Sequence, residues 1–171
     1  MNTIKNNILK VLFGILIMAS FSSCDEGGDP NPGGTTTEQF AGDWYITLSD
    51  PTKVLASNVH HYTYNTAAND NTMWIDDKDA GYEIKCKMTI NLENGTFTAE
   101  SSPNYLDLDA SGKPKSTVTI TEGKIEKGAA LSKAGHVVDK ISFKAHFSYD
   151  PAGYVITYVG HKRTGFKEDE Y

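Results

Sequence analysis

The sequence predicts an all-β protein, an antiparallel β-barrel of about eight strands, with a β-sandwich as the alternative. Apolar and polar residues alternate over several segments, which is typical of strands with one buried and one solvent-facing side. Turn-forming Gly, Asn, Asp and Pro residues separate these segments. The one short helix candidate is "GAALSKAG" at 128–135. Closure into a barrel would remove the exposed edges of the sheet.

Residues 1–23 predict a lipoprotein signal peptide that is removed from the mature protein. Lys5 and Lys10 precede an apolar run at 11–21, and small residues follow, as in secretory signals. The run is shorter than the roughly 20 residues of a membrane-spanning helix. Cys24 resembles the modified cysteine of a bacterial lipobox, so we expect cleavage before it and stable anchoring through two or more acyl chains. The alternative is an ordinary secretory signal with an incidental cysteine.

Residues 24–39 predict the lipidated Cys24 followed by a flexible tether. The stretch "DEGGDPNPGGTTTEQ" contains no apolar residue, so it has too little to bury to offset the entropy of ordering. Asp25 and Glu26 resemble the acidic export signals of surface lipoproteins in Bacteroidetes. We therefore expect an outer-membrane lipoprotein that faces the periplasm or, by preference, the cell surface.

The charge balance excludes nucleic acid as a partner. The chain has 16 Lys and Arg against 22 Asp and Glu, and loss of residues 1–23 would leave 14 against 22, a net charge of −8. A protein that binds nucleic-acid phosphates through its side chains needs an excess of Lys and Arg. Cys86 is the one thiol besides Cys24, so no intramolecular disulfide can form once Cys24 is acylated, and stability must come from a core. We also expect a monomer that holds no cofactor.

The barrel domain is predicted over residues 40–171. The segments 82–92 ("YEIKCKMTINL") and 141–149 ("ISFKAHFSY") alternate strictly. Asn94-Gly95 favours a tight hairpin after the first segment, and "DPAG" favours a turn after the second. The other predicted strands are "DWYITLS", "NVHHYTYN", "TMWID", "TFTAE", "STVTITEGKI" and "YVITYVG".

Gly42-Asp43-Trp44, at the first predicted strand, resembles the Gly-x-Trp signature of calycins, the lipocalin-like barrels. In calycins the tryptophan plugs the closed end of the barrel, and a basic residue from near the last strand lies across its ring. The resemblance therefore implies a structural plug of Gly42, Trp44 and Arg163, with Lys162 as the weaker candidate for the cation. Such a cation–π contact contributes roughly 0.5–2 kcal/mol.

The mature chain as a whole resembles a family of small Bacteroidetes lipoproteins described as lipid-binding putative hydrolases, of calycin-like fold. The resemblance is carried by "GDWYI", by "YNTAANDNTMWIDD" at 64–77 and by the closing "GHKRTGFKEDE". It implies a barrel that binds a hydrophobic ligand, and it supplies no catalytic residues.

The candidate ligand-binding residues are large side chains that we expect to line the barrel interior. His60 shares a strand face with Tyr62 and Tyr64, which would place a polar group within an aromatic wall; a structural histidine is the alternative. Large side chains can either line a pocket or fill it, and the sequence leaves both open. The full set is His60, Tyr62, Tyr64, Trp74, Met88, Phe143 and Phe147.

The sequence assigns no catalytic residue and no metal site. It contains no Gly-x-Ser-x-Gly, Ser-x-x-Lys or His-Glu-x-x-His motif. Cys86 should point into the core and be unreactive. The histidines lack the spacing of zinc ligands. A turn explains Asp76, Asp77 and Asp79 more simply than a calcium site does.

The leading functional hypothesis is a lipoprotein whose barrel binds a lipid or another hydrophobic small molecule at the end opposite the Trp44 plug. A first alternative is a structural or accessory surface lipoprotein that partners an outer-membrane nutrient-uptake complex. A second alternative is a hydrolase of ester or glycan substrates.

Overall fold

The computed structural model of the protein describes residues 34–171. The predicted signal peptide, Cys24 and the tether up to residue 33 lie outside the described residues. Thr35–Tyr171 form one compact unit, so the folded part begins before the predicted boundary at Phe40. Thr37 is fully buried, and the backbone N–H of Thr36 donates to Asn69 Oδ1 over 3.1 Å, which fixes this segment to the barrel.

Eight antiparallel strands form a closed barrel in which each strand pairs with its neighbours along the chain and the last pairs with the first. This confirms the predicted barrel and excludes the sandwich. Among residues 34–171, no helix is long and apolar enough to cross a membrane. The strands are β1 (Gly42–Ser49), β2 (Val54–Asn65), β3 (Thr72–Asp76), β4 (Lys85–Ile90), β5 (Thr96–Pro103), β6 (Thr117–Leu131), β7 (Val137–Phe147) and β8 (Ile156–Lys162), with 3-10 helices at Glu38–Phe40 and Lys167–Asp169.

The up-and-down strand order places alternate connections at opposite ends of the barrel. We call one end the mouth; it is formed by residues 50–53, 77–84, 104–116 and 148–155. We call the other end the base; it is formed by residues 66–71, 91–95 and 132–136, by Glu38–Phe40 and by the C-terminal segment, residues 163–171. The helix candidate at 128–135 lies here as the end of β6 and its turn, because Leu131 pairs with Val137.

The barrel interior is packed with apolar side chains that follow the predicted alternation on β4 and β7. The pattern ends at the two rims, where Leu92 is 36% and Tyr149 48% exposed because each lies beyond its strand. The buried residues of these two segments are Ile84, Cys86, Met88, Ile90, Ile141, Phe143, Ala145 and Phe147.

Trp44 closes the base from inside the barrel. Its side chain is fully buried, and its indole N–H donates to Thr63 Oγ1 over 2.9 Å. The Thr63 hydroxyl donates in turn to the Phe40 carbonyl over 2.7 Å. The indole therefore seals this end with its one polar group satisfied, and the same hydrogen bonds tie the first 3-10 helix to the barrel.

The cation over the Trp44 ring is Lys162, which corrects the prediction of Arg163. The Lys162 ammonium lies 5.9 Å from the ring centroid and donates to the Ala41 carbonyl over 3.1 Å. Gly42 leaves the room for it, because a Cβ there would lie 2.9 Å from Lys162 Cε and 3.3 Å from the indole. Lys162 pairs directly with Trp44 across β1 and β8, and directly paired residues share a face.

Arg163 instead fastens the C-terminal segment to the outer wall of the barrel. Its guanidinium donates to Glu170 Oε1 over 2.8 Å and to Asp43 Oδ2 over 3.1 Å. The Tyr45 hydroxyl donates to Glu170 Oε2 over 2.6 Å. As a result Tyr45, although it points outward from β1, is only 2% exposed.

Asp169 is the second anchor of the C-terminal segment. Its side chain accepts hydrogen bonds from the Ala134 N–H over 2.7 Å and from the Thr164 hydroxyl over 2.6 Å, and it lies 2.8 Å from His136 Nδ1. Burial alone would raise the pKa of the Asp169 carboxyl. Hydrogen bonds from Ser132 and the groups above outweigh burial and hold this pKa well below its usual range.

Replacing Trp44 by Ala should lower the free energy of unfolding by about 3–5 kcal/mol, because a large buried ring is lost and leaves a cavity. Urea unfolding followed by circular dichroism measures the change. Phe166→Ala is the matched control: this aromatic residue at the same end is 56% exposed, and its loss should cost under about 1 kcal/mol. If Trp44→Ala lowered the free energy of unfolding as little as the control does, the role of Trp44 as a plug would be rejected.

Replacing Asp169 by Asn should remove a pH-dependent part of the stability. The folded-state pKa of Asp169 lies below the unfolded value of about 3.9. Its contribution is therefore complete above that value and is lost as the pH falls through the folded pKa. The difference in unfolding free energy between wild type and Asp169→Asn should be constant from about pH 5 to pH 7 and shrink below about pH 4.

Denaturant unfolding over this pH range is the measurement for Asp169→Asn. Glu168→Gln, at an exposed neighbouring position, is the control and should follow the wild type at every pH. A difference between wild type and Asp169→Asn that stays the same below pH 4 would contradict the assignment.

Candidate functional site

Three of the predicted ligand-binding residues, Met88, Phe143 and Phe147, are core residues that are at most 2% exposed. The Phe143 ring stacks on Tyr158 with centroids 4.3 Å apart and lies 5.7 Å from the Phe97 centroid. These rings occupy the interior in which a ligand was expected. A molecule inside the barrel would have to displace them.

The strand face that carries His60, Tyr62 and Tyr64 points outward, which corrects the prediction that it lines the interior. Trp44 points inward and pairs directly with His61, so His61 and not His60 shares its face. His61 is fully buried, whereas His60, Tyr62 and Tyr64 are partly exposed. Side chains on successive strand positions alternate between the two faces, so one register decides all four positions.

Trp74, the remaining predicted ligand residue, also lies on the outer wall. Its ring is 6.5 Å from that of Tyr64 and 5.2 Å from that of Tyr105, measured between centroids. The Lys87 ammonium lies 5.3 Å from the Trp74 ring. The predicted set is thus split between the core and an aromatic patch outside the barrel.

Two tyrosines, Tyr82 and Tyr149, lie over the mouth of the barrel; we call them the tyrosine lid. Their ring centroids are 6.2 Å apart, and they lie 5.0 and 5.3 Å from the Phe147 ring below them. The Tyr82 hydroxyl donates to Asp150 Oδ1 over 3.0 Å. The lid therefore rests on the core and is held at its edge by a hydrogen bond to an acidic loop residue.

A group of buried polar atoms lies beneath the tyrosine lid; we call it the polar cluster. It consists of His61 Nε2, Asp77 Oδ2 and the Tyr158 hydroxyl, none of which has a hydrogen-bond partner among the described residues. All three side chains are fully buried. A Cβ at Gly81 would lie 2.9 Å from Asp77 Oδ2 and 3.5 Å from His61 Nε2, so the backbone of the β3–β4 loop covers the cluster closely.

Burial sets the protonation of the polar cluster. It lowers the pKa of His61 to about 4, so the imidazole is neutral at pH 7. It raises the pKa of the Asp77 carboxyl above its usual value, although the Asp79 N–H, which donates to Oδ1, acts in the opposite direction. Burial also raises the pKa of the Tyr158 hydroxyl well above its usual value. Burial likewise raises the pKa of the Cys86 thiol to about 12, which leaves this cysteine in its unreactive form.

An open cleft of about 320 Å³ lies on the outer wall, between β1, β8, the end of β6 and the C-terminal segment; we call it the wall cleft. Its rim residues Leu131 and Val159 are 63% and 44% exposed. Clefts at the β4–β5 hairpin, at the mouth and beside Glu38–Phe40 are lined mainly by polar residues. The apolar and aromatic residues of the wall cleft are Tyr45, Ala129, Ala130, Leu131, Val159 and Tyr171.

Two basic side chains, Lys140 and His161, also line the wall cleft. Within residues 34–171, no carboxylate lies close enough to Lys140 for an ion pair. His161 Nε2 is buried without a hydrogen-bond partner in the same part of the chain. Burial lowers the pKa of His161, although Asp169 acts in the opposite direction. The cleft thus combines exposed apolar side chains with polar groups and an ammonium group that has no carboxylate partner.

Ser132, His136 and Asp169 have the residue types of a catalytic triad, but not its geometry. Ser132 Oγ lies 3.4 Å and Asp169 Oδ2 lies 2.8 Å from the same ring nitrogen, His136 Nδ1. A triad needs the hydroxyl and the carboxylate on opposite nitrogens of the ring. Ser132 Oγ also accepts the His136 backbone N–H over 3.0 Å. These residues therefore fasten the β6–β7 turn to the C-terminal segment.

The described residues form no group of three or more His, Cys, Asp and Glu side chains that could hold a metal ion. Asp76 lies in an ion pair with Lys85 at 3.0 Å and accepts the Tyr64 hydroxyl over 2.8 Å. Asp77 points into the barrel beside His61, as its contacts near Gly81 show. The two adjacent carboxylates thus lie on opposite faces of the sheet.

Sequence analysis missed both the polar cluster and the wall cleft. From the sequence alone, Asp77 is interpreted as a turn residue and Tyr158 is assigned no role. The available signal was the spacing of Asp77 from Ile75 and Met73, which places Asp77 on the same inward-facing side, one residue past the end of β3. The wall cleft gave no local signal, because it joins strands from both ends of the chain to the C-terminal segment.

Comparison with known protein families finds a match over most of the chain. A sequence profile described as "lipid-binding putative hydrolase" matches residues 29–167, which is most of the chain. A comparison with curated proteins finds no match. The family and the barrel together support a lipid-binding protein. The chain therefore belongs to the lipid-binding putative hydrolase family, as the sequence resemblance implied.

Proposed function

We propose that this protein is an outer-membrane lipoprotein that binds an amphiphilic lipid in the wall cleft. The observation that carries the proposal is the combination, in one open cleft, of exposed apolar walls and the unpaired Lys140 ammonium. Because the barrel interior is filled by its own side chains, the cleft offers apolar surface to a lipid without displacing the core. The expected monomer suits this arrangement, since the cleft is complete within one chain.

The apolar walls would hold an acyl chain. Leu131 and Val159 leave 63% and 44% of their surfaces in water, and Tyr45 and Tyr171 rings lie 4.8 Å apart between centroids at one side of the cleft. Covering apolar surface of this kind contributes about 25 cal/mol per Å² removed from water. An acyl chain lying along Val159 and residues 129–131 would cover both rim residues.

The head group would lie at Lys140. An ammonium without a carboxylate partner attracts a carboxylate or phosphate oxygen, and hydrogen bonds between such ions are the strong ones. The chemistry therefore suits a fatty acid or another lipid with a single anionic group.

Membrane attachment would come from Cys24. The basic flank, the apolar run and the cysteine in residues 1–24 support export and acylation. The folded unit starts at Thr35, so a short segment would separate it from the acylated cysteine. Family membership supports lipid binding, and the anchor would hold the protein next to its lipid source.

Saturable binding of a fluorescent fatty acid by the delipidated protein tests the wall cleft. The double variant Leu131→Asp/Val159→Asp should weaken binding by about tenfold or more, because both walls lose apolar surface. Val54→Asp is the matched control: Val54 is 57% exposed but lies outside the cleft, and its replacement should leave the affinity unchanged. Equal losses in the double variant and the control would reject the cleft.

The Lys140→Ala variant tests the contact with the lipid head group separately from the contacts with the acyl chain. This variant should weaken binding of the fatty acid by about tenfold, as loss of one charged hydrogen bond implies, and should leave binding of the corresponding fatty alcohol unchanged. Both lipids compete with the fluorescent probe in the same assay. A uniform effect on acid and alcohol would place the head group elsewhere.

Metabolic labelling with radioactive palmitate tests the anchor. The wild type should be labelled and sediment with outer membranes. Cys24→Ser should lose the label and accumulate as an uncleaved precursor, because acylation of the thiol precedes cleavage of the signal peptide in lipoprotein processing. Label retained by Cys24→Ser, or unlabelled wild type in the soluble fraction, would contradict the lipoprotein assignment.

A protein partner is the second candidate, and the β6–β7 hairpin favours it. Leu131 and Val137 pair across the hairpin and are 63% and 71% exposed. Exposed apolar residues grouped in this way suit a contact with another protein. Crosslinking in membranes followed by affinity purification tests this candidate: a membrane partner lost in Val137→Asp supports it, while fatty-acid binding should be unaffected by that change.

A further inference from the structure

We propose that the polar cluster beneath the tyrosine lid is a binding site for a primary ammonium group. The site is separate from the wall cleft and does not depend on it. The polar atoms of the cluster are His61 Nε2, Asp77 Oδ2 and the Tyr158 hydroxyl, each without a partner among the described residues and each on a fully buried side chain. Three such groups side by side cost free energy that an apolar core would avoid.

The three atoms are directed at one region of the barrel. Asp77 Oδ2 and His61 Nε2 both lie within 3.5 Å of the position that a Cβ of Gly81 would take. The Tyr158 ring lies 5.8 Å from the His61 ring between centroids.

The hydrogen-bonding capacity of the cluster is mainly that of acceptors. His61 Nδ1 lies 3.2 Å from the Val59 carbonyl oxygen; a carbonyl only accepts, so Nδ1 carries the proton and Nε2 is an acceptor. Asp77 Oδ1 accepts the Asp79 N–H over 3.1 Å, which leaves Oδ2 free to accept. The Tyr158 hydroxyl oxygen has lone pairs for a third bond.

A primary ammonium group matches these acceptors better than other polar head groups. It brings three N–H donors, and its positive charge is complementary to the Asp77 carboxylate. A hydroxyl group brings one donor, and a carboxylate or phosphate diester brings none and is repelled by Asp77. A quaternary ammonium carries the charge but has no N–H to donate.

The rings above the cluster suit a cation as well. Tyr82, Tyr149 and Phe147 lie within 6.2 Å of one another between centroids at the mouth, and aromatic faces attract ammonium groups. Asp150, which accepts the Tyr82 hydroxyl, adds a carboxylate at the entrance. A cation approaching the mouth therefore meets carboxylates and aromatic rings in succession.

We infer that the β3–β4 loop opens to admit the ammonium group. Three of its residues other than glycine have left-handed backbone angles: φ is 47° at Lys78, 64° at Asp79 and 55° at Glu83. Such conformations are strained and occur preferentially at ligand clamps and switch regions. Tyr82 belongs to the same loop, so a loop movement would shift the tyrosine lid and the cover of the polar cluster together.

Calorimetric titration of the mature, full-length protein with n-butylammonium tests the proposal. We expect saturable binding, at least tenfold weaker binding of butyltrimethylammonium, and no binding of butyrate or butanol. Butyltrimethylammonium has the same charge and chain but no N–H donor. Equal affinity for the two cations, or no saturable binding of butylammonium, would overturn the proposal.

Variants assign the binding to the cluster. Asp77→Asn should weaken butylammonium binding at least tenfold, while Asp79→Asn, at an exposed position in the same loop, should not. Tyr158→Phe should also weaken binding yet raise the melting temperature, because it removes an unpartnered buried hydroxyl. A Tyr158→Phe protein that binds as the wild type does would contradict the site even if Asp77→Asn failed to fold.

A second experiment, lipid transfer from vesicles, identifies the molecule that carries the ammonium group. Vesicles of phosphatidylcholine with or without phosphatidylethanolamine are incubated with the protein, separated and assayed for lipid carried on the protein. Transfer of phosphatidylethanolamine that is lost in Asp77→Asn identifies a lipid head group. Butylammonium binding without such transfer identifies a free amine. Absence of both overturns the proposal, whereas fatty-acid binding in the wall cleft would stand unaffected.

Discussion

The row of the sheet in which Trp44 pairs with both His61 and Lys162 determines how the rest of the barrel is arranged. Directly paired residues share a face, so the buried indole directs His61 into the barrel on one side and Lys162 across its ring on the other. A shift of one residue on β2 would put His60 inside, and a shift on β8 would do the same for Arg163. The buried histidine, the outward tyrosines and the clamp on the C-terminal segment all follow from this register.

The sequence was sufficient for the barrel because its alternation is strict where the core is built. On β4 and β7 one face is apolar and the other polar, so only the apolar face can point into the core. On β2 it failed, because His60, Tyr62 and Tyr64 on one face and His61 and Thr63 on the other do not differ enough in hydrophobicity. On β2 the strand register determines which face is buried, and the register depends on contacts with the neighbouring strands.

The candidate sites could not be predicted for a related reason: each is assembled from distant parts of the chain. Asp77 meets His61 and Tyr158 only after the barrel has closed, and the wall cleft needs Tyr171 to be fixed beside Tyr45. The two sites also differ in physical character. The wall cleft is open and has a mixed apolar and polar lining, whereas the polar cluster is fully buried beneath the β3–β4 loop. One small barrel thus carries two candidate binding sites that suit different chemical groups.

Gly42 and Lys162 behave as one fitted pair, although they lie on the first and last strands. The lysine stem passes through the space that a side chain at position 42 would take, and it is 2.9 Å from the Cβ that any other residue would bring. Selection acting on relatives of this chain should therefore treat the two positions jointly. A lineage that gains a side chain at position 42 should shorten or redirect the side chain at position 162, so covariation between the two positions would record the closure of the barrel.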